Sequence, residues 1–311
     1  MGTTAHQTAI EDASPTFGRV LTAMVTPFTA DGELDQAGAV RLAGWLTRDG
    51  HNDGIVVNGT TGESISTTDW EKASMIVAAK KALHGTDRKV LAGVGAADTR
   101  HSVLLAKNAA EQGADGLLLV APYYSRPSQR GLLHHFLTVA DSTRLPVMLY
   151  DIPKRTGVAI APETLAEAAK HPRIIAVKDA KGDLEEASWV MRHTDLQYYS
   201  GDDALNLPML SIGATGFVSV VGHLVADRLR LLAEHYAAGR VDLALAVHRE
   251  LLPIYSSMFR APAAASVKAA LAYLGQPSGP LRSPLIALDR SEFRALLEDL
   301  AALDITSRRA A

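Results

Sequence analysis

Between residues 20 and 220, eight short apolar or β-branched runs alternate with longer segments of helical pattern, and that alternation narrows the possible folds sharply. The runs are Val20 to Val25, Gly54 to Asn58, Lys89 to Val94, Gly116 to Val120, Pro146 to Tyr150, Ile174 to Lys178, Gln197 to Ser200 and Gly216 to Val220. Between them lie helix-compatible segments: Asp35 to Asp49, Thr68 to Leu83, Thr99 to Gln112, Gly131 to Ser142, Pro162 to Lys170, Leu184 to Thr194 and Ala204 to Ile212. Near-continuous apolar strands joined by crossover helices belong to a parallel sheet covered on both faces. Eight such units in succession favour the α/β class and a closed (β/α)8 TIM barrel over an open doubly wound sheet. No Gly-x-Gly-x-x-Gly turn follows the first run, which argues against a dinucleotide fold. From about residue 225 the pattern is helix without strands, so a C-terminal helical appendix is expected. The expected division is a flexible N-terminal arm over 1–16, a barrel over 17–238 and a helical region over 239–311.

Composition excludes several function classes. The chain has 311 residues, 47% of them hydrophobic, enough to bury a large core. Net charge is −3 with both signs interspersed, so there is no basic patch for nucleic acid. Cysteine is absent, which removes disulfides, thiolate metal sites and a cysteine nucleophile and fits a cytoplasmic enzyme. No apolar stretch reaches the roughly 20 residues that span a bilayer, and the N-terminus lacks a signal-peptide layout, so no membrane partner is expected. The eleven histidines show no metal-ligand spacing, and no metal is expected.

In such a barrel the active site is built at the C-terminal ends of the strands. There the second run leads into Gly59-Thr60-Thr61-Gly62-Glu63-Ser64, and the fourth into Pro122-Tyr123-Tyr124-Ser125-Arg126-Pro127. The fifth ends in Tyr150-Asp151-Ile152-Pro153-Lys154-Arg155-Thr156-Gly157, and the sixth in Lys178. A lysine closing an apolar strand is either exposed just past its end or desolvated. Desolvation lowers the amine pKa from roughly 10.4 and frees the lone pair for attack on a carbonyl. Asp179, next in the strand, should face the opposite side. The Gly59 to Ser64 segment reads as a tight turn with Ser64 or Thr67 as helix cap, or as a cradle of N–H groups and hydroxyls for a carboxylate. Tyr123 and Tyr124 suit either packing or catalysis, whereas Tyr150 is a strand-end phenol able to shuttle protons beside an amine. Arg155 suits an acid partner or a substrate carboxylate equally. Gly93 and Gly95 are read as keeping the barrel mouth open.

Taken together, Gly-Thr-Thr-Gly-Glu-Ser at 59–64, Pro-Tyr-Tyr-x-Arg-Pro at 122–127, Tyr-x-x-Pro-x-Arg-Thr-Gly at 150–157, Lys178 and Ser200-Gly201-Asp202-Asp203 resemble the dihydrodipicolinate synthase family. That family lies within the pyruvate-dependent class I aldolases. The likeness runs from about Gly18 to the C-terminus, and the stretches at 178–183 and 198–208 look most like its actinobacterial branch. The resemblance implies condensation of pyruvate with L-aspartate-4-semialdehyde through a Schiff base on Lys178, with no other cofactor. It implies a proton relay of Tyr150, Thr60 and Tyr124, the last from a neighbouring subunit of a homotetramer built from tight dimers. Thr61, with the backbone of Gly59 and Gly62, would hold the pyruvate carboxylate; Arg155 would clamp the aldehyde's carboxylate; Gly201 and the Val218 carbonyl would line the imine site. Rival readings are a Schiff-base lyase for N-acetylneuraminate or a 2-keto-3-deoxy sugar acid, and a silent keto-acid-binding barrel; Arg155 favours the synthase over the lyase. Lysine-inhibited members grip the effector with a histidine, an asparagine and a glutamate, plus a serine and a tyrosine. Here Ser64 and Tyr123 remain, but Asp69, Ala97 and His101 align with the first three and Lys72 stands nearby, so insensitivity to L-lysine is expected.

Overall fold

The computed structural model describes residues 15–305. Each expected run forms a strand: β1 (Val20–Ala23), β2 (Gly54–Val57), β3 (Lys89–Gly93), β4 (Gly116–Val120), β5 (Val147–Asp151), β6 (Ile174–Asp179), β7 (Gln197–Ser200) and β8 (Gly216–Ser219). The strands pair in chain order, all parallel, and β1 closes the barrel on β8 with Leu21 opposite Val218. Side chains alternate across the strands, so Leu21, Val56, Leu91 and Met148 fill the interior while Val20, Ile55, Val90 and Val147 meet the surrounding helices. All eight are fully buried. Truncating one such leucine to alanine typically costs about 2–5 kcal/mol.

The helices are α1 (Gln36–Thr47), α2 (Asp69–Ala82), α3 (Thr99–Glu111), α4 (Gln129–Asp141), α5 (Pro153–Thr156), α6 (Pro162–Ala168), α7 (Leu184–His193), α8 (Asn206–Ser211), α9 (Gly222–Ala237), α10 (Val241–Met258), α11 (Ala263–Tyr273) and α12 (Arg290–Ala302). Short polar side chains set several starts: Asp35, Asp98, Ser128 and Asp183 each accept a first-turn N–H. Of the two candidate caps for α2, neither Ser64 nor Thr67 serves; Thr68 does, in a reciprocal capping box with Glu71. The segment expected as one helix from Ala204 to Ile212 splits into a 3-10 turn (Asp203–Leu205) and α8. Pro146 stays outside β5 because it has no N–H to donate, and its carbonyl accepts from Leu117.

The C-terminal helices share a core with the barrel: Leu251, Ile254, Val267, Leu271 and Leu300 belong to the same buried cluster as Val20 and Val25. Most of the expected N-terminal arm lies outside the described residues; Pro15 and Thr16, its end, are tied to Gly18 and Gln197 by hydrogen bonds. Among the described residues no helix is long and apolar enough to cross a membrane.

Candidate active site

Tyr150, Lys178 and Tyr199 are register partners on β5, β6 and β7, so their side chains share one layer inside the barrel. Lys178 is only 5% exposed, with its amine 4.2 Å from the centre of the Tyr150 ring. Burial brings its pKa down to about 8, opposed by the negative charge of Asp203 and aided by Arg155. Gly201 is what makes room for it: a Cβ there would lie 2.9 Å from the lysine Cε and Cγ. Asp179 faces away, accepting the Lys181 and Gly182 N–H groups.

Burial pushes the Tyr150 phenol up to about 12, with Arg155 and the Thr60 hydroxyl pulling the other way. The phenol is therefore a proton donor near neutrality. Thr60 lies on the exposed rim and Thr61 is buried, within a turn closed by Gly62 and Glu63 N–H bonds to the Gly59 and Thr60 carbonyls. The Thr26 hydroxyl donates to the Gly62 carbonyl at 2.7 Å and anchors the turn to the segment after β1. With the Gly62 N–H engaged, the N–H groups of Gly59, Thr60 and Thr61 are the donors of the turn left without an intrachain acceptor among the described residues. Gly93 and Gly95 do not open the mouth. Their faces are covered: a Cβ on Gly93 would sit 2.2 Å from the Asn58 carbonyl oxygen, and one on Gly95 2.4 Å from Val120.

Arg155 stands exposed on α5, which Gly157 ends in a left-handed conformation. No acid lies within ion-pair distance of it among the described residues, leaving its guanidinium available for a ligand. Val218 is fully buried in β8. Tyr124 is not brought to Tyr150 within the chain: it is 94% exposed, on a loop where its φ is 74°.

Sequence reasoning missed the role of Asp203. Its buried carboxylate accepts from Ser219, Asn206 and the N–H groups of Val220 and Val221, tying the end of β7 to that of β8. It is also the negative charge that acts on Lys178. Its place in the Ser200 to Asp203 motif was the available signal. A second cluster lies on the outer face of β5 and β6. There Lys181 stands 3.6 Å from Asp151 and pairs with Glu186, while Asp151 accepts the Ile160 N–H that follows the Arg155 loop.

The sequence profile of the Dihydrodipicolinate synthetase family matches residues 16–303. A 4-hydroxy-tetrahydrodipicolinate synthase of Streptomyces coelicolor is 55% identical over 92% of this chain and 95% of its own length. One from Acidothermus cellulolyticus is also 55% identical, over 93% of this chain and 94% of its own. Among solved structures, the lysine-bound enzyme of Cyanidioschyzon merolae superimposes with a TM-score of 0.90 at 39% identity, covering 93% of this chain and 99% of that one. The chain belongs to the dihydrodipicolinate synthetase family.

Proposed function

We infer that the chain condenses pyruvate with L-aspartate-4-semialdehyde to give 4-hydroxy-tetrahydrodipicolinate, the first committed step of diaminopimelate and lysine biosynthesis. The observation that carries the mechanism is Lys178, an amine desolvated to a pKa of about 8 beside a phenol held protonated. The neutral amine attacks C2 of pyruvate, and Tyr150 delivers a proton as water leaves, forming an imine with no separate cofactor. Loss of a C3 proton gives the enamine, which attacks the semialdehyde carbonyl; the substrate's own amine then displaces Lys178 from the resulting imine and closes the ring, freeing the lysine. Thr60, on the rim beside Tyr150, relays the proton, and Tyr124 completes the relay in a second subunit. Its 94% exposure suits a side chain whose partner is another copy. Thr61 and the free N–H groups of the turn from Gly59 to Gly62 hold the pyruvate carboxylate. Arg155, free of acid partners, clamps the carboxylate of the aldehyde, while Gly201 and Val218 line the imine site. The chain works as a homotetramer of tight dimers in the cytoplasm.

A coupled assay with pyruvate and aspartate semialdehyde, run beside N-acetylneuraminate and 2-keto-3-deoxy sugar acids, tests the reading. Turnover of the semialdehyde is expected; turnover of sugar acids alone would reverse the assignment.

A further inference from the structure

The last acidic residue of the carboxylate turn is bound to the far end of the chain. Glu63 follows Gly62 directly and has a left-handed backbone, φ 54°, a conformation strained for a non-glycine residue. Its N–H closes the turn on the Thr60 carbonyl at 3.1 Å, so its orientation is mechanically linked to the donors of Thr60 and Thr61. Its side chain points out of the turn into a buried charge cluster. Lys268 of α11 brings its amine to 2.6 Å of one carboxylate oxygen, and the Arg282 backbone N–H donates to the other at 2.9 Å. The two charged side chains are 3% and 1% exposed.

Further contacts fix both cations. Lys268 also donates to the Pro280 carbonyl, and the Arg282 guanidinium binds the Gly32 and Ser66 carbonyls and the Glu71 carboxylate. Both cations lie over the Phe28 ring, at 4.2 and 4.1 Å from its centre. Lys268 is the one charged residue of α11, a helix in which Ala264, Ala265, Val267, Ala270 and Leu271 are buried. A buried ion pair is seldom more stabilising than apolar groups of the same volume, so stability alone does not explain a lysine there. An ion pair does specify one orientation, and here it specifies that of the turn.

We propose that Glu63 is a positioning residue for the keto-acid carboxylate site, held in register by Lys268 and Arg282 of the C-terminal helical region. The proposal rests on the reading that the turn from Gly59 to Gly62 takes the pyruvate carboxylate. The C-terminal helices are then part of the pyruvate site, although none of their residues touches substrate.

The test is steady-state kinetics and thermal melting of Lys268→Met and of the charge-neutral pair Glu63→Gln with Lys268→Met, in the full chain. Lys268→Met is expected to raise the pyruvate KM about tenfold while kcat changes less than about threefold, the pattern of lost ground-state binding. The double variant removes both buried charges, so its melting temperature should recover toward the parent while the pyruvate KM stays raised. A merely structural role would restore both together. Recovery of the pyruvate KM in the double variant, or a KM within about twofold of the parent in a well-folded Lys268→Met, overturns the proposal. Thr61→Val separates it from the underlying reading: an unchanged pyruvate KM there rejects the turn as the carboxylate site and the proposal with it. A raised KM in Thr61→Val with an unchanged one in Lys268→Met rejects the positioning role alone.

Discussion

The pH dependence of imine formation follows from the burial of Lys178. With the amine pKa at about 8, about a tenth of the side chain is neutral at pH 7, against roughly one part in 3,000 for a lysine at 10.5. The barrel therefore supplies on the order of 300 times more nucleophile at that pH than a solvated lysine does. Because the folded pKa is lowered, the neutral amine appears as pH rises through about 8 and is already complete well below 10.5. Trapping with pyruvate and cyanoborohydride, quenched early and quantified on the peptide containing Lys178, should give an initial rate that rises about tenfold from pH 6 to 7 and flattens between 8 and 9. Asp203 opposes the lowering, so Asp203→Asn should move the midpoint to lower pH, with circular dichroism as the check that the barrel still forms. A rate that keeps climbing beyond pH 9.5, or an adduct on another lysine, would refute the assignment of Lys178 as a desolvated nucleophile.

Arg155→Ala should raise the KM for aspartate semialdehyde by about tenfold or more, since a charge-assisted bond is worth about 1.5–3 kcal/mol, while pyruvate trapping on Lys178 is unchanged. Equal loss for both substrates would contradict its role. Mixing inactive Tyr124→Phe and Lys178→Ala chains should restore activity after subunit exchange; no recovery in verified mixed oligomers would place Tyr124 in its own chain's site or in none. L-Lysine should leave the initial rate unchanged below the millimolar range. Asp69 is engaged by His101 at 3.0 Å, and Lys72 adds a cation whose amine donates to the Thr67 carbonyl, so neither offers a free acceptor to an effector ammonium. Half-inhibition at micromolar lysine in a rate titration would refute this.

The strand order was legible because most strands are buried on both faces and so read as near-continuous apolar runs, as in Gly54–Val57 and Gly116–Val120. Ends were less legible, being decided by one or two hydrogen bonds: Thr68 wins the cap of α2 through its box with Glu71, and Ser128 caps α4, which starts at Gln129, two residues before Gly131. The short α5 carrying Arg155 is four residues long and leaves no period to detect. At the site, Lys178 and Tyr150 were visible as polar residues closing apolar strands, whereas the partnership of Glu63 with Lys268 and Arg282 joins segments about 200 residues apart. A lysine inside the alanine-rich Ala263 to Leu274 segment was the only local sign of it. Gly93 and Gly95 misled because a glycine after a strand signals a close backbone approach as readily as an opening.

The order of synthesis gives the closed sheet a further consequence. Until β8 leaves the ribosome, β1 has an unpaired edge, because its partner Val218 lies near the other end of the barrel sequence. The hydrogen bond from Arg282 to Glu63 spans 219 residues, and that from its guanidinium to Gly32 spans 250. Contacts this long in sequence close late and slow folding. A nascent chain holding all eight strands but stopping short of residue 268 lacks both Lys268 and Arg282, so the turn from Gly59 to Gly62 gains these two anchors only after the whole barrel has been made.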